Sequence, residues 1–326
     1  MTESGARWLL WPASRLYLAL AKSRVSLYES GWIPQRKLGK PVISVGNLSV
    51  GGTGKTPMVM WLAERFLVEG KRIGILSRGY KGTDGTSDEI ELMKARLGEG
   101  VLFGVGPDRY EEGRRLEAQG VDMFLLDDGF QHLPLARDVD IVLVDRSQPP
   151  SSNEVLPMGR LREPRSALRR ADIVVFTRMG SEAAKTGGGD FSCSTELLGW
   201  RLLGGTGTLS GPGELRGRRA FGFCGIGNPR GFWRDLERWG IDLVGRRAFA
   251  DHHRYSGAEA EEIEDDAVRL GADAIVMTEK DVENLSGAIF RRLPGYAAVI
   301  TLDVHDEKRF LAEIRSRLNA RPGVDA

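Results

Sequence analysis

The sequence predicts an α/β protein: a mostly parallel sheet domain, a second and smaller α/β domain after it, and an amphipathic helix in front. Three observations carry that prediction. Short apolar runs of strand length alternate with helix-length stretches, the pattern of a parallel sheet covered on both faces. A glycine-rich loop, Gly51-Gly52-Thr53-Gly54-Lys55-Thr56-Pro57, lies between one such strand and a helix. A small, polar stretch at 179–190 then separates two similar strand, glycine-turn and helix patterns.

Bulk composition bounds the rest. The chain has 326 residues and a formal charge of +1, a length that suits two domains. Charged residues are 28% and apolar ones 41%, which excludes a disordered or fibrous chain. Near-zero net charge argues against a nucleic-acid binder that works by bulk electrostatics. Cys193 and Cys224 are too few for a disulfide framework and too isolated for a zinc site, so a reducing compartment fits. No small-residue cleavage site follows a long apolar core, and no run reaches the roughly 20 apolar residues that span a bilayer.

Residues 1–35 are expected to hold an amphipathic helix. Pro12 suits its first turn, and Leu16, Leu20 and Leu27 fall on one stripe. Arg15, Lys22 and Glu29 recur every seven residues on another, and Arg24 falls on the apolar side, where it would have to snorkel. Tryptophans and tyrosines among basic residues are the composition of an interfacial helix; a helix packed on its own domain is the other reading.

The first sheet domain is expected over 36–205. Its strands are 40–45, 72–76, 121–126, 140–144 and 172–177, with a helix at 58–69 ended by Gly70. The second domain, 206–318, starts with a strand at 220–224 that leads into Gly225-Ile226-Gly227-Asn228. A helix at 232–239, strands at 274–278 and 297–301, and a helix at 307–318 complete it, and 319–326 is a tail.

The glycine loop carries the strongest chemical signal. Several backbone N–H groups must converge on a phosphate, and glycines let the backbone come close. Lys55 would reach the β- and γ-phosphates, and the Thr56 hydroxyl would bind Mg²⁺. The strict pattern has glycine where this chain has Ser49, but the strand before and the helix after make this a P-loop NTPase-type domain. Leu125-Leu126-Asp127-Asp128 follows an apolar strand, the position from which acids hold or orient Mg²⁺. Asp88, in a stretch read as a loop over the phosphate site, is a candidate base. Asp251-His252-His253 fits a carboxylate and imidazole acting on a hydroxyl better than a metal site, and a surface turn equally well. The basic run at 160–165 could face phosphates or lipid headgroups, or be a solvated face.

These residues resemble the tetraacyldisaccharide 4′-kinases of lipid A biosynthesis. The resemblance rests on Ser44 to Pro57, with its serine at 49, and on motifs that follow in order: Ser77-Arg78-Gly79-Tyr80, Asp127-Asp128-Gly129-Phe130-Gln131-His132, Leu161-Arg162-Glu163-Pro164, Gly225-Ile226-Gly227-Asn228-Pro229, Asp251-His252-His253 and Thr278-Glu279-Lys280-Asp281. The flanks of Asp88-Glu89, here Ser87 and Ile90, depart from the family's glycine and proline. So does Ser151-Ser152-Asn153-Glu154, where the family has a glycine-asparagine-glycine stretch. The resemblance implies ATP and Mg²⁺ as cofactors. It implies a lipid-linked glucosamine disaccharide as acceptor at the cytoplasmic face of the inner membrane, with no nucleic acid and no protein partner. Carried over, Ser49, Val50, Gly51, Gly52, Thr53, Gly54, Lys55 and Thr56 bind the nucleotide. Asp88, with His252 as its partner, activates the hydroxyl, and Lys55 takes part in the transfer. Thr56, Asp127, Asp128 and Glu163 are the metal-site residues.

Two other readings compete. A GTPase or metal-insertion NTPase would share the loop, but guanine selection uses Asn-Lys-x-Asp, and here Lys280 and Asp281 are adjacent. A surface assembly protein that binds nucleotide without catalysis would not need the acidic and histidine sites.

Overall fold

The computed structural model describes residues 8–79, 87–146, 154–178, 191–285 and 290–320. Tyr80, Ser151 to Asn153, the polar stretch at 179–190 and the end of the tail lie outside them. In chain order the elements are helix α1 (Trp11–Glu29), β1 (Val42–Asn47), α2 (Lys55–Val68), β2 (Ile73–Ser77), α3 (Asp88–Leu97), β3 (Val101–Val105), α4 (Arg109–Glu117), β4 (Met123–Asp127), β5 (Val139–Asp145), β6 (Ile173–Thr177) and β7 (Phe191–Leu202). There follow β8 (Leu209–Ser210), β9 (Arg219–Cys224), α5 (Pro229–Arg238), β10 (Asp242–Ala248), α6 (Gly257–Arg269), β11 (Ala274–Thr278), α7 (Glu279–Asn284), β12 (Gly295–Val304) and α8 (Glu307–Asn319).

The chain divides into two compact units. The first comprises Met1–Gly85, Leu97–Ser194 and Val304–Ala326; the second comprises Thr86–Arg96 and Thr195–Asp303. In the first unit the strand order is β6-β5-β1-β4-β2-β3, all parallel, and Phe191 to Cys193 of β7 pair with β6. Strands β1, β2 and β4 are buried along their whole length, so both faces are covered and the sequence reads as unbroken apolar runs. Helix α2 buries Met58, Val59, Met60, Trp61, Leu62, Ala63 and Phe66. Trp61 meets Phe310 of α8 at a ring separation of 5.9 Å.

In the second unit β10, β9, β11 and β12 pair in that order, again parallel. Alternate residues feed two cores, as a period of two requires. Phe221, Phe223, Ile275 and Met277 meet Tyr255 and Ile263 on one face. Ala220, Cys224, Ala274 and Val276 meet Phe232, Trp233 and Leu236 on the other.

The structure corrects several sequence readings. Helix α2 starts at Lys55, three residues before the expected start, because Pro57 then falls in the first turn, where its missing N–H costs nothing. Asp88 is not in a loop: it opens α3. Ser87 precedes it, its Oγ 3.4 Å from the amide of Ile90, and Asp88, Glu89 and Glu91 crowd acid into the first turn. Helix α4 is so charged that no apolar period marked it; Asp108 caps it by accepting from the amides of Tyr110 and Glu111.

Helix α1 carries its apolar stripe outward. Ser14 is buried and its hydroxyl donates to the Val155 carbonyl at 2.8 Å, and Tyr17, Leu18, Ala21, Val25 and Tyr28 follow on the same half-buried side. Leu16 and Leu20 are 62% and 64% exposed. Arg24 does not snorkel: its guanidinium reaches the Gln131 carbonyl and lies over the Tyr28 ring.

Candidate active site

In the first unit the glycine loop leaves the C-terminal end of β1. Val45 of β1 sits in register with Asp127 of β4, so the loop and the acidic strand end emerge side by side. The neighbouring strand ends of an open parallel sheet are where such folds take up ligands. Gly46 is obligatory: a Cβ there would lie 2.5 Å from the Phe130 Cβ and 2.7 Å from the Phe130 amide nitrogen. Gly51 and Gly54 hold φ of 116° and 93°, and Gly54 caps α2 in the left-handed region that favours glycine. Buried Asn47 donates through Nδ2 to Thr53 Oγ1 at 2.8 Å, bracing the loop across its width. The loop's outer edge is a short antiparallel contact: the Val50 amide donates to the Arg160 carbonyl at 2.8 Å, and the Arg162 amide to the Leu48 carbonyl at 2.6 Å.

Lys55, on the first turn of α2, places Nζ 3.5 Å from Asp128 Oδ1. Arg162 holds the other oxygen at 2.7 Å. Burial pushes the Asp128 carboxyl up, but these two cations outweigh it and the carboxyl lies below its ordinary range. Asp128 itself has a left-handed φ of 50°. Glu163 is buried against Arg170 and accepts from Gln131 Nε2 at 3.1 Å, while Gln131 also donates to the Asn47 carbonyl at 2.9 Å. Gln131 therefore links Glu163 to the end of β1. Thr56, on the first turn of α2, and Asp127, at the end of β4, offer hard oxygens, the donor type that Mg²⁺ takes. Behind them Arg109 donates to His132 Nδ1 across 2.8 Å. Burial, with Arg109 and Arg137 nearby, pushes the His132 imidazole down from an ordinary 6.5 to about 4.

In the second unit Asp88 and His252 meet, 164 residues apart in sequence: His252 Nδ1 lies 2.9 Å from Asp88 Oδ2. Asn284 Nδ2 donates to the same oxygen at 3.1 Å. Burial raises the Asp88 carboxyl, and the bonds from His252 and Asn284 more than reverse it, so Asp88 lies well below the usual carboxylate range. The Asp88 bond holds the His252 imidazole above its ordinary value, although burial and the Lys280 charge pull against it. His252 adopts φ of 61°, which turns it away from its neighbour; His253 bonds Glu259 instead, at 3.0 Å. Asp88, Glu89 and His252 bring three potential metal ligands together, but the Lys280 ammonium already sits among them. It lies 3.1 Å from Glu89 Oε1, 3.3 Å from Asp251 Oδ1 and 3.3 Å from His252 Nε2. A cation supplied by the chain itself takes that place.

The structure thus brings the predicted residues into two groups: Ser49 to Thr56 with Asp127, Asp128 and Glu163, and Asp88 with His252. Sequence reasoning gave no role to Gln131 or Lys280, although each lies in a motif noted there, and it offered Arg162 only within a basic run facing phosphates, lipid headgroups or solvent; the structure pairs Arg162 with Asp128. Asn284 carried no signal; it follows Lys280 by one helical turn, a spacing visible only once α7 is known to start at the capping box of Thr278 and Asp281.

Comparison with known proteins identifies the family. A family model described as LpxK, tetraacyldisaccharide-1-P 4′-kinase, matches residues 6–319. The tetraacyldisaccharide 4′-kinase of Geobacter sulfurreducens is 41% identical over 310 residues, covering 88% of this chain and 86% of that protein. That of Koribacter versatilis is 37% identical over 333 residues, covering 96% and 99%. The crystal structure of LpxK from Aquifex aeolicus in complex with ATP superposes with a TM-score of 0.73 at 32% identity, covering 96% of this chain and 99% of that one. With the match spanning both units and every motif above, this chain belongs to the tetraacyldisaccharide 4′-kinase family.

Proposed function

We propose that this protein transfers the γ-phosphoryl group of ATP to the 4′-hydroxyl of a tetraacyldisaccharide 1-phosphate lipid, a step of lipid A biosynthesis. The phosphate loop alone says only that a nucleoside triphosphate binds. The observation that gives the phosphate a destination is the Asp88–His252 pair, a carboxylate at a helix start bonded to an imidazole at 2.9 Å.

The loop amides from Gly51 to Thr56 receive the phosphates, the Val50 amide being held by the Arg160 carbonyl, and Lys55 meets the oxygens between the β and γ positions. Its contact with Asp128 keeps the ammonium in place before the nucleotide arrives. Thr56 and Asp127 would hold Mg²⁺ directly. Asp128 and Glu163, each already matched by an arginine, act from behind them by orienting Lys55 and Gln131. Bound Mg²⁺ would offset the charge on the transferring group.

Asp88 accepts the proton of the sugar hydroxyl. Its depressed proton affinity makes it a weak base, which suits a loose transfer in which the hydroxyl gains acidity only late, as the new P–O bond forms. His252 and Asn284 hold the carboxylate in place meanwhile.

The acceptor is a lipid, and α1 supports where it is met. No described helix is long and apolar enough to cross a membrane. Leu9, Leu16, Leu20 and Trp32 are exposed by 81%, 62%, 64% and 82%, beside Arg15 and Lys22. With Leu16 and Leu20 on α1 and Leu9 and Trp32 flanking its two ends, that is the surface of a helix lying in a headgroup layer. We place the protein on the cytoplasmic face of the inner membrane, bound from one side.

Incubation with γ-labelled ATP, Mg²⁺ and a tetraacyldisaccharide 1-phosphate in mixed micelles tests the reading. Label is expected at the 4′ position, with ATP preferred over GTP. Nucleotide hydrolysis without label in the lipid would contradict it.

A further inference from the structure

The turn that carries His252 and the helix that carries Lys280 are tied together by one buried carboxylate. Asp281 accepts from the Gly225 amide at 2.7 Å and the Tyr255 hydroxyl at 2.8 Å, and it closes the capping box that starts α7. The His252 amide in turn donates to the Gly225 carbonyl at 3.1 Å. Lys280 is therefore delivered to His252 by a braced frame and not by a free surface chain, and its own side chain is 16% exposed.

An ammonium group has donors and no acceptor. At 3.3 Å from Lys280 Nζ, His252 Nε2 can form a hydrogen bond only through its lone pair. The ring's single proton is then on Nδ1, from which it donates to Asp88 Oδ2. We propose that Lys280 is a positioning residue that fixes His252 as the neutral, Nδ1-protonated tautomer and so aims its N–H at the catalytic carboxylate. This deepens the base role proposed for Asp88 and rests on it.

The charges around the ring explain why a cation is needed there. Asp88 and Glu89 face it from α3, Asp251 from its own turn, and Lys280 from α7. Nε2 is 3.7 Å from Glu89 and 3.9 Å from Asp251. Without the ammonium these carboxylates would favour a second proton on Nε2. An imidazolium beside Asp88 would hold its carboxylate more tightly ionised and weaken it further as a base. Lys280 satisfies both acids and leaves Nε2 bare.

Two measurements test the proposal. Nitrogen-15 NMR of the full-length protein, histidine-labelled and without nucleotide, reads the tautomer directly. At mildly alkaline pH, above the imidazole midpoint that Asp88 raises, the His252 ring is expected to carry its proton on Nδ1 with Nε2 bare; an Nε2-protonated ring, or an imidazolium that persists there, overturns the assignment. In Lys280→Met, which keeps most of the stem, the imidazole midpoint and the acid limb of kcat/KM are both expected to move to higher pH. At neutral pH kcat should drop roughly tenfold or more, the scale of a misaligned catalytic group, with KM for ATP unchanged. A folded variant with an unshifted profile overturns the proposal. Should that variant fail to fold, the wild-type spectrum still decides. The spectrum also separates this inference from the kinase reading, which stands or falls on label transfer.

Discussion

At the scale of single residues, the site is governed by which partner each ionisable group keeps. Asp88, Asp128 and Glu163 were all visible in the sequence as acids in motifs, and only the family resemblance separated a base from metal-site residues. The structure does so by their partners: Asp128 faces Lys55 and Arg162, Glu163 faces Arg170, and Asp88 faces an imidazole and an amide. For Asp128 and Asp88 the distinction depends on contacts 34 and 164 residues apart, which no local pattern encodes. His132 offers a clean test of the electrostatics. Its folded proton affinity lies near 4 and its ordinary one near 6.5. The unfolded chain therefore binds more protons in that interval, so the stability contributed by the neutral ring is whole above pH 6.5 and fades as the pH falls towards 4. The loss is about 3 kcal/mol at most. Denaturant titrations at neutral pH and near the lower end of that window should show it, and His132→Asn, which can still accept from Arg109, should flatten the slope. An equal slope in both proteins would refute this account of His132.

At the scale of elements, the legible parts were those with a strong period or a loop signature. Strand β11 was read to the residue, because its short apolar run is bounded by charged and polar residues on both sides. Helices α4 and α6 were missed: their faces carry so many charges that caps, not apolar spacing, define them. Strand β7 was missed since Thr195 to Gly199 alternates too weakly to show as a strand. Helix α1 was legible as amphipathic but not as to which stripe faces outward, because that depends on Ser14 finding the Val155 carbonyl far along the chain. Its outward leucines lead to a prediction. Replacing Leu16, Leu20 and Leu27 with glutamine should leave the unfolding midpoint unchanged, since these side chains are exposed by 62%, 64% and 41%. Binding to vesicles of anionic lipid should weaken by tenfold or more, because three leucines contribute about 2 kcal/mol or more even when only partly buried. Undiminished vesicle binding would remove α1 from the account of membrane contact.

For the whole molecule, the two units divide the chemistry. The first presents loop amides, a lysine and strand-end acids at the C-terminal ends of central strands of a parallel sheet, the arrangement proposed to bind the triphosphate. The second presents a carboxylate whose partners keep it charged and oriented. It takes in Thr86–Arg96, so Asp88 belongs with His252 although it follows the first unit's second strand in sequence. Family resemblance could name both residues, but only the fold shows the helix start and the left-handed turn that let them meet. The central claim is that Asp88 takes the proton from the acceptor hydroxyl. Single-turnover transfer by Asp88→Asn, an isostere that can still accept a bond from His252 but cannot take up a proton, tests it most directly. The account predicts a rate lower by about 10²- to 10⁴-fold with ATP affinity unchanged. Near-normal transfer by the folded variant would contradict it.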